Sequence, residues 1–196
     1  MSTVHEIIVI GTSWGGLNAL THVVAGLPAT FALPLVVVQH RSPDAPGFLA
    51  ELLQTHTGLQ VVEVDDKRPI VAGHVYVAPA NYHLLIERGF FSLTTDAPVR
   101  YSRPSIDVTF ASAADAYAHR TVGIVLTGAN ADGAEGLRRI SDRGGLAIVQ
   151  DPGSAESRLM PEAAQKAVPR ARVMPLASIA AFVASLPAGV PERGTA

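Results

Sequence analysis

Glu6-Ile7-Ile8-Val9-Ile10-Gly11-Thr12-Ser13-Trp14-Gly15-Gly16 is the stretch on which the fold turns. The run from Glu6 to Ile10 is short, β-branched and apolar without alternation, the pattern of a central parallel strand covered on both faces. It stops at Gly11. From Trp14 to Leu27 the apolar positions Leu17, Leu20, Val23, Val24 and Leu27 recur at spacings of three and four, which predicts a helix with one face on a sheet. Strand, tight glycine turn and helix therefore follow one another within the first residues.

The same alternation continues outward. Leu35 to Gln39 reads as a second buried strand, followed by a helix from Pro46 to His56 with Phe48, Leu49, Leu52 and Leu53 turned inward. Shorter alternating runs at Val75 to Ala78, His83 to Ile86 and Phe90 to Leu93 predict antiparallel strands, the last two joined by a tight turn at Arg88-Gly89. A helix from Ser105 to Ala118, a strand from Thr121 to Leu126 and a helix from Ala134 to Arg143, ended by Gly144-Gly145, come next. A strand at Leu146 to Val149, a helix near Pro161 to Ala167, a strand at Arg172 to Met174 and a helix from Leu176 to Leu186 complete the series. The expected fold is α/β: an open, mostly parallel, doubly wound sheet with helices on both faces and a small antiparallel hairpin element. Residues 1–186 form one domain in this reading, and residues 187–196 a flexible tail.

Composition narrows the function. With 196 residues, 48% hydrophobic and 16% charged, the chain suits a single well-buried core. A net charge of -2, with no long basic block, disfavours nucleic-acid binding. There is no cysteine, so thiolate nucleophiles, thiolate metal sites and disulfides are excluded. No apolar run approaches the ~20 residues of a membrane span, and the start lacks a signal-type pattern. A soluble cytoplasmic protein without membrane insertion is expected.

In an open parallel sheet the ligand crevice lies beyond the carboxyl ends of the strands. Three reactive side chains fall at such positions. Gly11-Thr12-Ser13-Trp14-Gly15 fits G-x-S-x-G between a strand and a helix, where a sharp turn exposes the serine hydroxyl and helix-start N–H groups face a developing oxyanion. A phosphate-cradling turn is the competing reading. Against it, Ser13 stands where G-x-G-x-x-G needs its central glycine, and Gln39-His40 stands where a ribose-binding carboxylate is expected. His40 closes the second strand and can take the serine proton; a surface or capping histidine is the alternative. Asp132, at the end of Leu126-Thr-Gly-Ala-Asn-Ala-Asp132, can cap the following helix, orient His40, or both.

Taken in chain order these blocks resemble the catalytic domain of the CheB chemotaxis protein-glutamate methylesterases. The resemblance rests on Ile10 to Gly16, Val38-Gln-His40, Val75 to Pro79 with His83, Arg103 to Val108, Leu126-Thr-Gly128, Asp132-Gly-Ala134, Gly144-Gly145, Gln150-Asp151 and Met160-Pro161. It implies a serine hydrolase that demethylates glutamate methyl esters on the cytoplasmic helices of chemoreceptors, related enzymes also deamidating glutamines. It further implies a triad of Ser13, His40 and Asp132 and needs no cofactor. Typical members carry an N-terminal phosphoacceptor receiver domain, whereas this chain starts at the first strand, so regulation by phosphorylation is expected to lie outside it. Trp14 after the serine, Ala129 where methionine is common, and Glu162 after Met160-Pro161 depart from the family pattern. A non-catalytic signalling adaptor on this fold, and an esterase for a non-receptor substrate, are the alternatives. His83 reads either as a crevice residue or as a structural pin, and Arg103 with Asp107 either as residues that shape the site or as an ordinary loop ion pair. The other histidines are scattered, and no metal site is expected.

Overall fold

The computed structural model describes residues 4–42 and 47–189. The elements in chain order are β1 (Ile7–Thr12), α1 (Gly16–Ala25), β2 (Leu35–Gln39), α2 (Leu49–Gln54), β3 (Gln60–Glu63), β4 (His74–Val77), β5 (His83–Glu87) and β6 (Phe90–Thr94). They continue with α3 (Ile106–Tyr117), β7 (Thr121–Val125), α4 (Ala134–Asp142), β8 (Leu146–Gln150), α5 (Leu159–Ala167), β9 (Arg172–Met174) and α6 (Leu176–Ala184). Seven strands form one sheet in the order β3-β4-β2-β1-β7-β8-β9, every neighbouring pair parallel, and β5 and β6 make a separate antiparallel hairpin. The doubly wound α/β fold expected from the strand–helix alternation is the one observed.

Two cores follow from the two faces of the central strands. On one face Ile8, Ile10, Val37 and Ile124 pack with Leu20, Val23 and Val24 of α1 and Ile179 and Val183 of α6. On the other, Val9, Val36, Val125 and Val149 pack with Phe110 and Ala114 of α3, Leu137 and Ile140 of α4, and Leu84 and Phe91 of the hairpin. Alternate side chains of β1 enter opposite cores and all are fully buried, which is why its sequence shows no polar face.

The order of the strands places the site. From β1 the chain moves to one side through β2 and β4, then crosses to build β7, β8 and β9 on the other. The reversal lies between β1 and β7, and their carboxyl ends open the crevice expected at such a switch point.

The structure corrects several local expectations. The strand at Val75 to Ala78 is not antiparallel: as β4 it lies parallel between β2 and β3, with Val75, Tyr76 and Val77 all fully buried. Tyr76 mimics an outward polar position, yet its hydroxyl is satisfied inside by Val71 N at 2.9 Å and Pro69 O at 3.2 Å. The edge strand β3, with only Val61 and Val62 as apolar residues, carried too little pattern to be foreseen. Phe48 and Leu52 are exposed rather than inward, and Leu53 alone of the expected four is fully buried, because the helix there is reduced to Leu49–Gln54. Leu17 likewise faces out at the start of α1. Residues 187–189 of the expected tail are tied down, His5 N donating to Pro187 O and Gly189 N to His5 O. The rest of that tail, 190–196, and Pro46 lie outside the described residues.

Candidate functional site

The turn after β1 is held by its neighbours. Thr12 Oγ1 and Ser13 N both donate to Thr127 O, at 2.7 and 3.0 Å, which ties the end of β1 to the end of β7. Gln39 Nε2 donates to Ser13 O at 2.8 Å and to His40 O at 3.0 Å, tying it also to the end of β2. The backbone must then reverse into α1. Gly15 does so in the left-handed region at φ 75°, and a Cβ on Gly16 would fall 2.1 Å from Gln39 Oε1 and 2.6 Å from Thr12 Oγ1. The result is a Ser13 side chain on the wall of a cleft of about 530 Å³, shared with Trp14, Leu17, His40, Ala129 and Glu156.

His40 leaves β2 with its N–H bonded to Thr12 O at 3.1 Å. Its Nε2 lies 2.7 Å from Asp132 Oδ2. Asp132 is buried at the amino end of α3 and accepts three further bonds: Ile106 N at 2.7 Å on Oδ2, and Asp107 N and Ser105 Oγ, each at 3.0 Å, on Oδ1. Burial by itself raises the Asp132 carboxyl, but the bonds from His40, Asp107 and Ile106 outweigh it and hold the group below the ordinary carboxylate value. An ionised carboxylate at a helix amino terminus, facing imidazole, is the consequence. The expected cap of the following helix is not formed: the cap residue of α4 is Gly133, and the Asp132 carboxylate is turned instead to the first N–H groups of α3.

The other ring nitrogen of His40 points away from Asp132. Nδ1 is 3.2 Å from Asn130 Nδ2 and 3.5 Å from Ser102 Oγ. Among the described residues no hydrogen bond joins Ser13 to His40; the two share the cleft without touching through a proton. The three sequence candidates therefore divide into a bonded pair, His40 and Asp132, and a hydroxyl on the same cleft.

His83 is a pin. It is 1% exposed, accepts Ser105 N at Nδ1 (3.2 Å) and bonds Ala97 O through Nε2 (3.1 Å), so it steadies the residue that caps α3. The expected Arg103–Asp107 ion pair is absent among the described residues. Arg103 bonds Asn81 Oδ1 and the carbonyls of Thr95 and Asp96, while Asp107 faces Arg100 Nε at 3.4 Å. Glu162 pairs with Arg158 at 2.7 Å along α5. Sequence reading missed Ser105, seen only as a helix start, and Asn130, which sits in the same loop as Asp132. Their bearing on the site depends on contacts that no local pattern encodes. Among the described residues no group of histidine, aspartate and glutamate is placed to hold a metal ion, and no helix is long and apolar enough to cross a membrane.

This geometry can be set beside known proteins. A sequence model of the CheB methylesterase family matches residues 8–183. The chain belongs to the CheB methylesterase family. It is 45% identical over 177 residues to the putative protein-glutamate methylesterase/protein-glutamine glutaminase of Leptospira interrogans, covering 90% of this chain and 92% of that relative. A protein-glutamate methylesterase/protein-glutamine glutaminase of Anaeromyxobacter dehalogenans is 40% identical over 174 residues, or 89% of this chain but 51% of the relative. This CheB-family chain thus spans about half of some relatives and nearly all of others. Its fold matches the crystal structure of the Thermotoga maritima CheB methylesterase catalytic domain with a TM-score of 0.87 and 32% identity, over 93% of this chain and 98% of that one.

Proposed function

We propose that this CheB-family chain is a serine hydrolase that demethylates glutamate methyl esters on chemoreceptors in the cytoplasm, and that it can also deamidate glutamines there. Ser13 is the nucleophile, His40 the general base and acid, and Asp132 the orienting carboxylate. The observation that carries the reading is the 2.7 Å contact between His40 Nε2 and a buried, ionised Asp132. That contact assigns the ring proton to Nε2 and leaves the Nδ1 lone pair on the side away from Asp132.

The steps follow from these groups. Ser13 Oγ attacks the ester carbonyl while its proton passes to Nδ1, and Asp132 stabilises the imidazolium. The Trp14 N–H has no acceptor among the described residues and is the donor offered to the oxyanion. Collapse expels methoxide, which takes the Nδ1 proton and leaves as methanol. Water then adds to the acyl-serine by the same relay in reverse, freeing the glutamate carboxylate and restoring Ser13. With a glutamine side chain the leaving group is ammonia.

The test is methanol release from methylated receptor membranes by wild type and by Ser13→Ala. The variant is expected to fall to background while keeping its melting temperature. Undiminished turnover by Ser13→Ala refutes the nucleophile, and absence of turnover by the wild type on any methylated receptor, with turnover of small esters, refutes the substrate.

A further inference from the structure

We propose that Asn130 is a positioning residue that holds His40 in the one tautomer able to accept the nucleophile's proton. This rests on the reading of Ser13 and His40 given above. Asn130 is half-buried, two residues ahead of Asp132, and its amide spans the space between the acid and the base. Its Oδ1 accepts Asp132 N at 3.0 Å. A backbone N–H can only donate, so that bond fixes which end of the amide is oxygen. The end facing His40 Nδ1 at 3.2 Å is then the NH2 group, which also can only donate. Nδ1 must therefore present its lone pair, and the ring proton must sit on Nε2, toward Asp132 Oδ2 at 2.7 Å.

The two neighbours select the same tautomer from opposite ends of the ring. Asp132 does so by accepting from Nε2, and Asn130 does so by donating to Nδ1. Ser102 Oγ, at 3.5 Å, stands at the outer limit of a hydrogen bond and adds little. Between turnovers Asn130 thus occupies the lone pair that the chemistry uses. Before Ser13 can pass its proton to Nδ1 the amide must release that lone pair, and the protonated Nδ1 then faces a donor and cannot re-form the resting contact. The imidazolium is then free to turn its proton toward the leaving oxygen rather than return to the resting contact.

Asn130→Asp tests this without changing shape. It keeps an oxygen for Asp132 N–H but replaces the donor by an acceptor, which favours a proton on Nδ1. We expect kcat to fall about tenfold or more, on the scale of lost base catalysis, with KM within about twofold. Asn130→Ser keeps an oxygen near Asp132 N–H and removes the donor, and its kcat is expected to fall by about threefold. Nitrogen NMR of His40 should show a bare Nδ1 in the wild type and a protonated one in Asn130→Asp. Wild-type kcat in both variants, or a protonated Nδ1 in the wild type at neutral pH, overturns the proposal. Should Asn130→Asp not fold, Asn130→Ser and the wild-type nitrogen signals decide it. Loss of turnover in Ser13→Ala and His40→Ala beside silent Asn130 variants sinks this inference alone; retained turnover in Ser13→Ala sinks the site reading itself.

Discussion

Asp107 and Asp132 cap each other's helices. Asp132, just ahead of α4, accepts the N–H groups of Ile106 and Asp107 at the amino end of α3, at 2.7 and 3.0 Å. Asp107, in the first turn of α3, accepts those of Gly133 and Gly136 at the amino end of α4, at 2.9 and 2.7 Å. Each carboxylate thus satisfies donors that its partner's helix leaves open. The exchange locks α3 to α4 and fixes the orientation of Asp132 before any substrate arrives.

Two carboxylates this close do not ionise alike. Burial first, then the facing Asp132, push Asp107 up to about 6 against the pull of the Gly136 and Gly133 amides. A carboxyl raised on folding binds more protons in the folded state than in the unfolded one between the two values. Its contribution to stability is therefore full at low pH and is lost as pH rises from about 4 to about 6. Asp132, lowered on folding, acts in the opposite sense and below that window, losing its contribution only as pH falls through its folded value. Asp107→Asn keeps an oxygen for Gly133 and Gly136 and removes the titration. Melting temperatures of wild type and Asp107→Asn, compared at pH 4 and pH 7, should show the wild type losing more on the way up. Parallel curves contradict this account of the pair.

Asp132→Asn is expected to damage both chemistry and fold. Of the four bonds that Asp132 accepts, an amide can keep those on one oxygen only, and it turns an NH2 toward the remaining donors. Unpaired buried donors cost about 1–3 kcal/mol each, so a loss of roughly 2 kcal/mol or more in unfolding free energy is expected. Turnover should fall further, by about 10³ to 10⁴, because His40 loses the acceptor for its Nε2 proton. Denaturant melts and kcat on one preparation separate the two effects; full stability with a modest kcat loss speaks against the assigned role.

Much of this was legible in the chain. The central strands announce themselves because burial on both faces removes every polar residue from Ile7 to Ile10, and strand ends then locate Ser13, His40 and the Asp132 loop. What escaped has a common physical cause. Tyr76 and Leu17 break the usual relation between residue type and burial, the first because its hydroxyl finds partners inside, the second because α1 starts at the cleft. The bonds that orient the site join residues more than twenty positions apart, Ser105 to Asp132 and Asp107 to Gly136, and no periodicity encodes such pairs. Arg103 and Asp107 looked like partners by proximity in sequence, but Arg103 is spent on Asn81 and two carbonyls.

Gly16→Ala offers a test of sign. Within an ordinary helix, alanine for glycine gains about 0.5–1 kcal/mol. Here the added methyl meets Gln39 Oε1 and Thr12 Oγ1 well inside contact distance. Gln39 cannot simply swing away, since its Nε2 bridges Ser13 O and His40 O. Overpacking of this kind costs about 1–3 kcal/mol, or a melting shift of a few degrees for a chain of this length. A stabilised variant means that the turn around Ser13 is looser than these contacts imply.

Trp14 separates substrate contact from chemistry. Its carbonyl accepts Thr127 Oγ1 at 2.9 Å, so the backbone is anchored, while its side chain is 66% exposed on the cleft that holds Ser13. A large exposed aromatic at the lip of the cleft carries little of the fold, and Trp14→Ala should leave stability within about 0.5 kcal/mol. On the proposed function, a polypeptide substrate would extend across the lip of the cleft and bury that indole, whereas a short-chain ester beside Ser13 would not reach it. Trp14→Ala is therefore expected to raise KM for a methylated protein by about tenfold, the scale of one buried aromatic contact, and to leave small-ester hydrolysis near wild type. Equal losses on both substrates place the effect in the turn and its N–H rather than in the indole.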